Sequence, residues 1–237
     1  MLLVLTGAAG IVDAISYLEL GRVFTAMMTG NTVLLALAIG QGEIMAALRS
    51  TLALAAFSAG AAVGAMALAR GVRRSEWPPV VTGALALEGA VLGVFGVVWH
   101  VGGMAPRSGS VVVVLIVLSG LAMGVQAAAV RHLGVPGVAS TYITGTLTSL
   151  MAELVIWLRP PGASSSGETA TGWPSGPTSR HLRLLAAVFL VYGAGALVGT
   201  VLQARSSTLL AWLPFVCVAA VVVNGYMRHR EVLRRNS

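Results

Sequence analysis

An aspartate near the middle of the first apolar stretch is the residue whose type and position most strongly predict chemistry. Asp13 is flanked by Val12, Ala14 and Ile15. An ionised carboxylate at the centre of a membrane helix costs about 2.5 kcal/mol or more, so it needs a compensating role. Two interpretations fit its position: a proton or cation site that faces a cavity, and a carboxyl that pairs with the backbone or a hydroxyl of a neighbouring helix.

Two Thr-Gly pairs each stand before a short apolar segment. The first pair is Thr29 and Gly30, followed by Asn31, and the second is Thr144 and Gly145. Threonine is a frequent helix N-cap, and glycine lets a backbone or a ligand approach closely. Two helix N-termini that face each other at membrane depth would favour an anionic group, through free N–H groups and the positive end of each helix dipole. Capping and tight packing alone are the alternative interpretation.

Three further polar residues lie at membrane depth. Gln126 lies close to the position that corresponds to Asp13 in the second half of the chain, if a gap of two residues is allowed. Glu88 stands inside a continuous apolar segment, which makes it a candidate for substrate or ion binding and the better one of the two glutamates. Glu153 is close to Arg159 in sequence and can reach toward it, so it is the weaker candidate.

No pattern in the sequence is typical of an enzyme. There is no Ser/His/Asp arrangement, phosphate-binding glycine loop or pair of acids at catalytic spacing. The four histidines stand at the ends of apolar segments without metal-ligand spacing, and the one cysteine cannot form an intrachain disulfide. We therefore expect no catalytic residues, no metal and no cofactor.

The composition places these residues in a membrane protein. Of 237 residues, 57% are hydrophobic and 10% are charged, and the mean hydropathy is +0.87. A water-soluble fold would have too little polar surface to cover such a chain. The net charge of +7 comes from arginines spread between apolar segments, so we expect the lipid bilayer as partner and no nucleic acid.

The apolar segments predict an all-α, polytopic helical membrane bundle. Six of the eight segments are long enough for a crossing, which takes about 20 residues. The second segment is short, and glycine and proline interrupt the start of the sixth, so we predict about six crossings plus two short or broken helices; the alternative is eight crossings. The segments are roughly 1–20, 26–39, 46–69, 80–99, 110–131, 138–158, 182–203 and 208–227.

The placement of the arginines favours six crossings over eight. Arginines near membrane helices concentrate on the cytoplasmic side. Six crossings place 11 arginines on the side of the termini and 4 on the other, whereas eight crossings give 9 and 6. The sequence therefore predicts cytoplasmic termini, with the Pro, Gly and Ser-rich loop at 159–180 on the same side.

The chain contains an internal repeat. Residues 23–30 match 138–145 at an offset of 115, and residues 57–64 match 192–199 at an offset of 135. The offset grows by about the length of the loop at 159–180, so this loop is an insertion in the second copy. Three crossings per copy would make the copies inverted, an arrangement found in secondary transporters. The predicted organisation is a single membrane domain with repeat one at 1–100 and repeat two at 110–228.

The first motif resembles a known family. The run through Gly10, Asp13, Ala14, Tyr17, Gly21, Phe24 and Met28-Thr29-Gly30-Asn31-Thr32, with Gly124-Val125-Gln126-Ala127 in the second half, resembles the YoaK family of bacterial membrane proteins, grouped as domain of unknown function 1275. The resemblance implies an integral protein of the bacterial inner membrane and supplies no substrate. Family members carry a short, often basic segment before the first span, so we expect the natural start to lie upstream. The motif residues that it carries over are Asp13, Thr29, Gly30, Asn31, Gln126, Thr144 and Gly145.

These observations together predict a small-solute secondary transporter or permease. Asp13 would bind the coupling ion or cation, and the two Thr-Gly helix starts would hold the substrate. The alternative is a non-transporting membrane scaffold or sensor, in which the same residues only fix helix packing.

Overall fold

The computed structural model describes residues 1–69, 77–102, 109–134, 143–158 and 179–235. These residues form eight α-helices and no strand. The predicted all-helical class is therefore confirmed. The helices are α1 (Leu2–Glu19), α2 (Met28–Gln41), α3 (Ile44–Ala69), α4 (Pro79–Val101), α5 (Gly109–Leu133), α6 (Ile143–Trp157), α7 (Ser179–Arg205) and α8 (Ser207–Arg235).

Six of these helices are long and apolar enough to cross a membrane, as predicted. They are α1, α3, α4, α5, α7 and α8. The other two, α2 and α6, have 14 and 15 residues, or about 21 to 23 Å of helix against a hydrocarbon core of about 30 Å. Exposed apolar side chains such as Val33, Leu37 and Ile39 cover the outer face of α2, which suits contact with lipid.

Glycine determines how α3 approaches α5. A Cβ on Gly60 would collide with the carbonyl oxygen of Leu121, and a Cβ on Gly124 would collide with the carbonyl oxygen of Phe57. The two backbones therefore touch directly, the close approach that small residues at four-residue spacing permit in membranes. This contact between α3 and α5 is long-range, because it joins residues near 60 to residues near 121.

The same kind of contact joins α1 to α7. A Cβ on Gly10 would collide with the carbonyl oxygen of Tyr192, and a Cβ on Gly195 with the carbonyl oxygen of Gly7. The first helix of the chain is thus fixed against the seventh. Helix α4 completes the core by packing on both α5 and α8.

The two short helices lie on the outside of this core. Helix α2 packs on α3, and α6 packs on α7. The chain reaches α2 through a tight turn in which Gly21 and Arg22 both have positive φ, 87° and 62°. Gly42, with φ of 72°, ends α2 in the left-handed conformation that glycine favours.

Two local predictions need correction. Thr29 does not cap α2: the helix begins at Met28, its N-cap is Met27, and no side-chain cap bond is present. Ser179 and Arg180, the last two residues of the predicted loop at 159–180, belong to α7, which begins at Ser179. Residues 159–178 of that loop lie outside the described residues.

Candidate functional site

The carboxyl group of Asp13 is buried, with 3% of the residue exposed. Its Oδ1 accepts hydrogen bonds from the backbone N–H groups of Thr25 at 2.8 Å and Ala26 at 2.7 Å. Its Oδ2 accepts a hydrogen bond from the hydroxyl of Tyr192 at 2.5 Å. One side chain of α1 therefore binds both the backbone that leads into α2 and a side chain of α7.

Two further side chains hold the same stretch of backbone. Asn31 accepts from the N–H of Phe24 at 2.9 Å and donates back to the carbonyl oxygen of Phe24. Ser16 donates to the carbonyl of Val12 at 2.6 Å and lies 2.8 Å from the hydroxyl of Thr25. We call the group of Asp13, Ser16, Thr25, Asn31 and Tyr192 the Asp13 network.

The Asp13 network holds the backbone that leads into α2. The carboxyl of Asp13 accepts the N–H groups of Thr25 and Ala26, which precede Met27, the N-cap of α2. Thr29 lies inside the first turn of α2, and its residue is exposed. Asp13 is six residues before the end of α1. The chain after α1 therefore folds back by about 9 Å along that helix to place Thr25 and Ala26 beside Asp13.

Sequence analysis did not predict the roles of Tyr192, Ser16 and Thr25. Tyr192 entered that analysis only as the counterpart of Phe57 in the repeat. The difference between the two is one hydroxyl, and a phenol in an apolar helix needs a hydrogen-bond partner. The extra hydroxyl of Tyr192 was therefore the one feature of the sequence that could have predicted a polar contact with α7.

The two Thr-Gly pairs are not brought together. Helices α2 and α6 make no contact over their described residues, because each packs against the next long helix in sequence. Thr29, Thr144 and Gly145 are exposed, whereas Asn31 is completely buried. A Cβ on Gly30 would lie 2.9 Å from the ring of Phe24, so this glycine makes room for that side chain. A Cβ on Gly145 would meet open space.

Gln126 and Glu88 are fully buried, as expected for polar residues at depth, and lie outside the Asp13 network. The amide nitrogen of Gln126 donates to the carbonyl oxygen of Leu5 at 3.2 Å. Gln126 thus joins α5 to α1 one turn or more from Asp13. Neither carboxylate oxygen of Glu88 has a hydrogen-bond partner among the residues that the structure describes.

Glu153 pairs with a histidine. Its Oε1 lies 2.6 Å from Nδ1 of His181, which joins α6 to α7. Arg159, the partner considered from sequence, lies outside the described residues.

Comparison with known proteins identifies the family. The family described as "Protein of unknown function (DUF1275)" matches residues 1–224. The UPF0700 transmembrane protein YoaK of Bacillus subtilis (strain 168) is 33% identical over 220 residues, which cover 93% of this chain and 90% of that protein. The chain belongs to the DUF1275 family. The resemblance to YoaK seen in the motif of the first helix is therefore confirmed.

The DUF1275 assignment identifies a multi-pass membrane protein and gives no chemical activity. The printed name of the B. subtilis relative describes a transmembrane protein, in agreement with six long apolar helices. No solved structure matches the chain.

Within this DUF1275 fold, the centre of the Asp13 network is a buried carboxyl group whose hydrogen bonds come from the protein itself. Three donors converge on its two oxygens. Across the described helices no three His, Cys, Asp or Glu side chains are grouped to hold a metal ion. The network instead joins three chain segments at membrane depth.

Proposed function

We propose that this DUF1275 protein is a secondary transporter or permease for a small solute. The observation that carries the proposal is the Asp13 carboxyl, which binds α1, the backbone before α2 and α7 at one buried point. Transporters commonly place irregular backbone and half-helices at their binding sites. In the proposed cycle, movement of α7 relative to α1 changes the hold of Asp13 on the segment that leads into α2.

The proposal includes the internal repeat. Its support is that equivalent glycines make equivalent contacts: Gly60 lies against Leu121, and Gly195 lies against Gly7. The two glycines differ by 135 positions, the residues they touch differ by 114, and the helix pairs are α3 with α5 and α7 with α1. Each copy therefore packs its third helix on the first helix of the other copy.

Six crossings would make the copies inverted. Each copy contributes three long helices and one short one. An odd number of crossings per copy reverses the second copy relative to the first, and an even total places both termini on one side. We propose that this side is the cytoplasm and that the membrane is the bacterial inner membrane, as the arginine distribution favours.

The two copies differ at the proposed site. The offset of 114 that relates α1 to α5 pairs Asp13 with Ala127 and not with Gln126, which the sequence comparison had placed there. The offset of 135 pairs Tyr192 with Phe57. The acid and the phenol therefore meet where α1 packs on α7, and an alanine and a phenylalanine stand at the equivalent positions where α5 packs on α3. The proposal accordingly has a single carboxyl site in place of two symmetric ones.

Asp13 has a different role in this proposal from the one expected from sequence. Both of its oxygens bind the protein's own donors, so in this proposal Asp13 stabilises the backbone that leads into α2 and does not bind the coupling ion. The Thr-Gly pairs do not form one cradle, so the proposed solute contacts lie near Asn31 and the start of α2. No catalytic activity, cofactor or nucleic-acid partner is proposed.

The second candidate is a non-transporting membrane scaffold or sensor. It is favoured by the same observation, because a carboxyl satisfied by three internal donors needs no ligand to be stable. In that case the Asp13 network only fixes the packing of α1, α2 and α7.

Thermal stability of the purified protein distinguishes the two candidates. The protein and Asp13→Asn are unfolded against a panel of metabolites and ions over a pH series. For a transporter, one ligand raises the Tm of the wild type, as mass action requires, and has little effect on the Asp13→Asn variant. If no compound raises the Tm and the variant only melts earlier, the scaffold candidate is favoured.

A further inference from the structure

Glu88 is a buried acid that the Asp13 network does not use. It is 0% exposed, and neither carboxylate oxygen finds a hydrogen-bond donor in the described part of the chain. It is nine residues into α4, a helix of 23 residues, so it lies about 14 Å from one end of that helix and about 20 Å from the other. The acid is therefore near the centre of the bundle.

The surroundings of Glu88 are apolar. It lies on the buried face of α4 with Leu85 and Leu92, which belong to the main hydrophobic cluster. Next to it in sequence, Gly89 faces Val218 of α8. The cluster also includes Met123 of α5. An ionised carboxylate in such a place, without donors, is strongly unfavourable, and the group remains neutral by keeping its proton.

The titratable groups on the neighbouring helices lie elsewhere. On α1, Asp13 is occupied by its own donors, and on α3, the Arg49 guanidinium packs against the turn at Gly21. Arg131 and His132 lie in the last turn of α5. On α8, His229 lies 3.4 Å from the hydroxyl of Thr82, near the start of α4. The remaining charged residues of these helices lie near helix ends. They are Glu19 on α1, Arg180, Arg183 and Arg205 on α7, and Arg228, Arg230, Glu231, Arg234 and Arg235 on α8.

The two buried acids thus differ in kind. Three donors surround the carboxyl of Asp13, whereas Glu88 has none among the residues that the structure describes. We propose that Glu88 is the site at which this protein binds and releases one proton when the bundle opens to water. The inference rests on the proposed transport function and gives the coupling ion a chemical identity.

A proton fits this site better than a metal cation. A bare cation needs several oxygen ligands, and Glu88 belongs to no group of three acidic, histidine or cysteine side chains among the described residues. A proton needs only one carboxylate oxygen. In the proposed step, the O–H bond of neutral Glu88 breaks as water reaches it, the proton passes to water as hydronium, and the carboxylate later takes a proton back.

Infrared difference spectroscopy on the full chain in lipid vesicles tests this proposal. We expect the carbonyl stretch of a protonated carboxylic acid in the wild type, a reversible loss of that band as the pH rises, and a shift of the band in heavy water. Glu88→Gln should lack the band, and Asp13→Asn should retain it. A band that stays constant at every pH at which the protein remains folded would overturn the proposal, as would its survival in Glu88→Gln.

A second measurement needs only the wild type, in case Glu88→Gln does not fold. Dicyclohexylcarbodiimide adds to protonated carboxylic acids in apolar surroundings and gives a stable N-acylurea that peptide mapping locates. We expect an adduct on Glu88, none on Asp13, and a yield that decreases as the pH rises. An adduct yield independent of pH, or no adduct on Glu88, contradicts the proposal. Neither experiment uses a transported solute. A solute screen that finds no ligand would therefore count against the proposed transport function, whereas these two experiments decide whether Glu88 exchanges a proton.

Discussion

The carboxyl of Asp13 and the hydroxyl of Tyr192 are 2.5 Å apart, although 179 positions separate the two residues in the chain. The bond joins the first helix to the seventh. It also completes the set of donors around a group that would otherwise be an isolated charge in an apolar interior.

Removing the carboxyl should destabilise the protein more than converting it to an amide. Asp13→Ala leaves two backbone N–H groups and one phenol without an acceptor, at a cost of about 3 kcal/mol or more. Asp13→Asn keeps one oxygen for the N–H groups, so its cost is about 1 kcal/mol. Thermal unfolding in detergent should therefore rank the wild type above Asp13→Asn and Asp13→Ala lowest. Equal melting temperatures for wild type and Asp13→Ala would contradict the Asp13 network.

Tyr192→Phe should weaken the wild type but not the variant without the carboxyl. The lost bond to a charged acceptor is worth about 1.5 to 3 kcal/mol. In an Asp13→Ala background the phenol has no acceptor, so the same substitution should have little effect, and a double-mutant cycle measures the coupling. The matched control is Tyr226→Phe, because Tyr226 is 55% exposed on α8. Equal losses in both backgrounds would show that the hydroxyl acts through another partner.

Alanine at the helix contacts should cost more stability where less space is available for its Cβ. In Gly10→Ala the new Cβ would run into the carbonyl oxygen of Tyr192, and overpacking of this kind costs about 1–3 kcal/mol. The matched control is Gly83→Ala in α4, where nothing lies within 4 Å of the new Cβ. Alanine there should stabilise the helix by up to about 1 kcal/mol. Melting temperatures of the two variants test this, and a tolerant Gly10 would mean that α1 and α7 are further apart.

A cysteine at the end of α2 should report the number of crossings. In a Cys217→Ala background, Gln41→Cys should react with an impermeant thiol reagent added from the side opposite the termini if six helices cross. Ser165→Cys, in the loop at 159–180, is the control for the side of the termini. Labelling of both positions from the same side would instead favour eight crossings.

The sequence predicted the polar residues better than their partners. Asp13, Glu88 and Asn31 stand out because a polar group in an apolar helix is expensive wherever it lies, and all three are buried. Tyr192 did not stand out as the partner of Asp13, because the choice of neighbouring helix is a long-range property that periodicity within one helix does not contain. Contact between α1 and α7 became visible only in the fold.

Register along a helix limits what the sequence predicts. The pairing of Gln126 with Asp13 across the repeat stays a prediction, and successive residues of a helix point about 100° apart, so an alignment shifted by one position assigns a side chain to another neighbour. In the structure Gln126 reaches the carbonyl oxygen of Leu5. The Thr29 cap was wrong because α2 begins at Met28, which places Thr29 inside the first turn and not at the N-cap position.

The long separation between Asp13 and Tyr192 also bears on the order of synthesis. The first helix enters the bilayer while α7 has not yet been made, so the aspartate spends most of translation without its phenol. The turn at Thr25 and Ala26 follows within 13 residues and offers its two N–H groups at once. During biogenesis the backbone between α1 and α2 is therefore the first hydrogen-bond donor that Asp13 meets, and the hydroxyl of Tyr192 joins it only after α7 has been made.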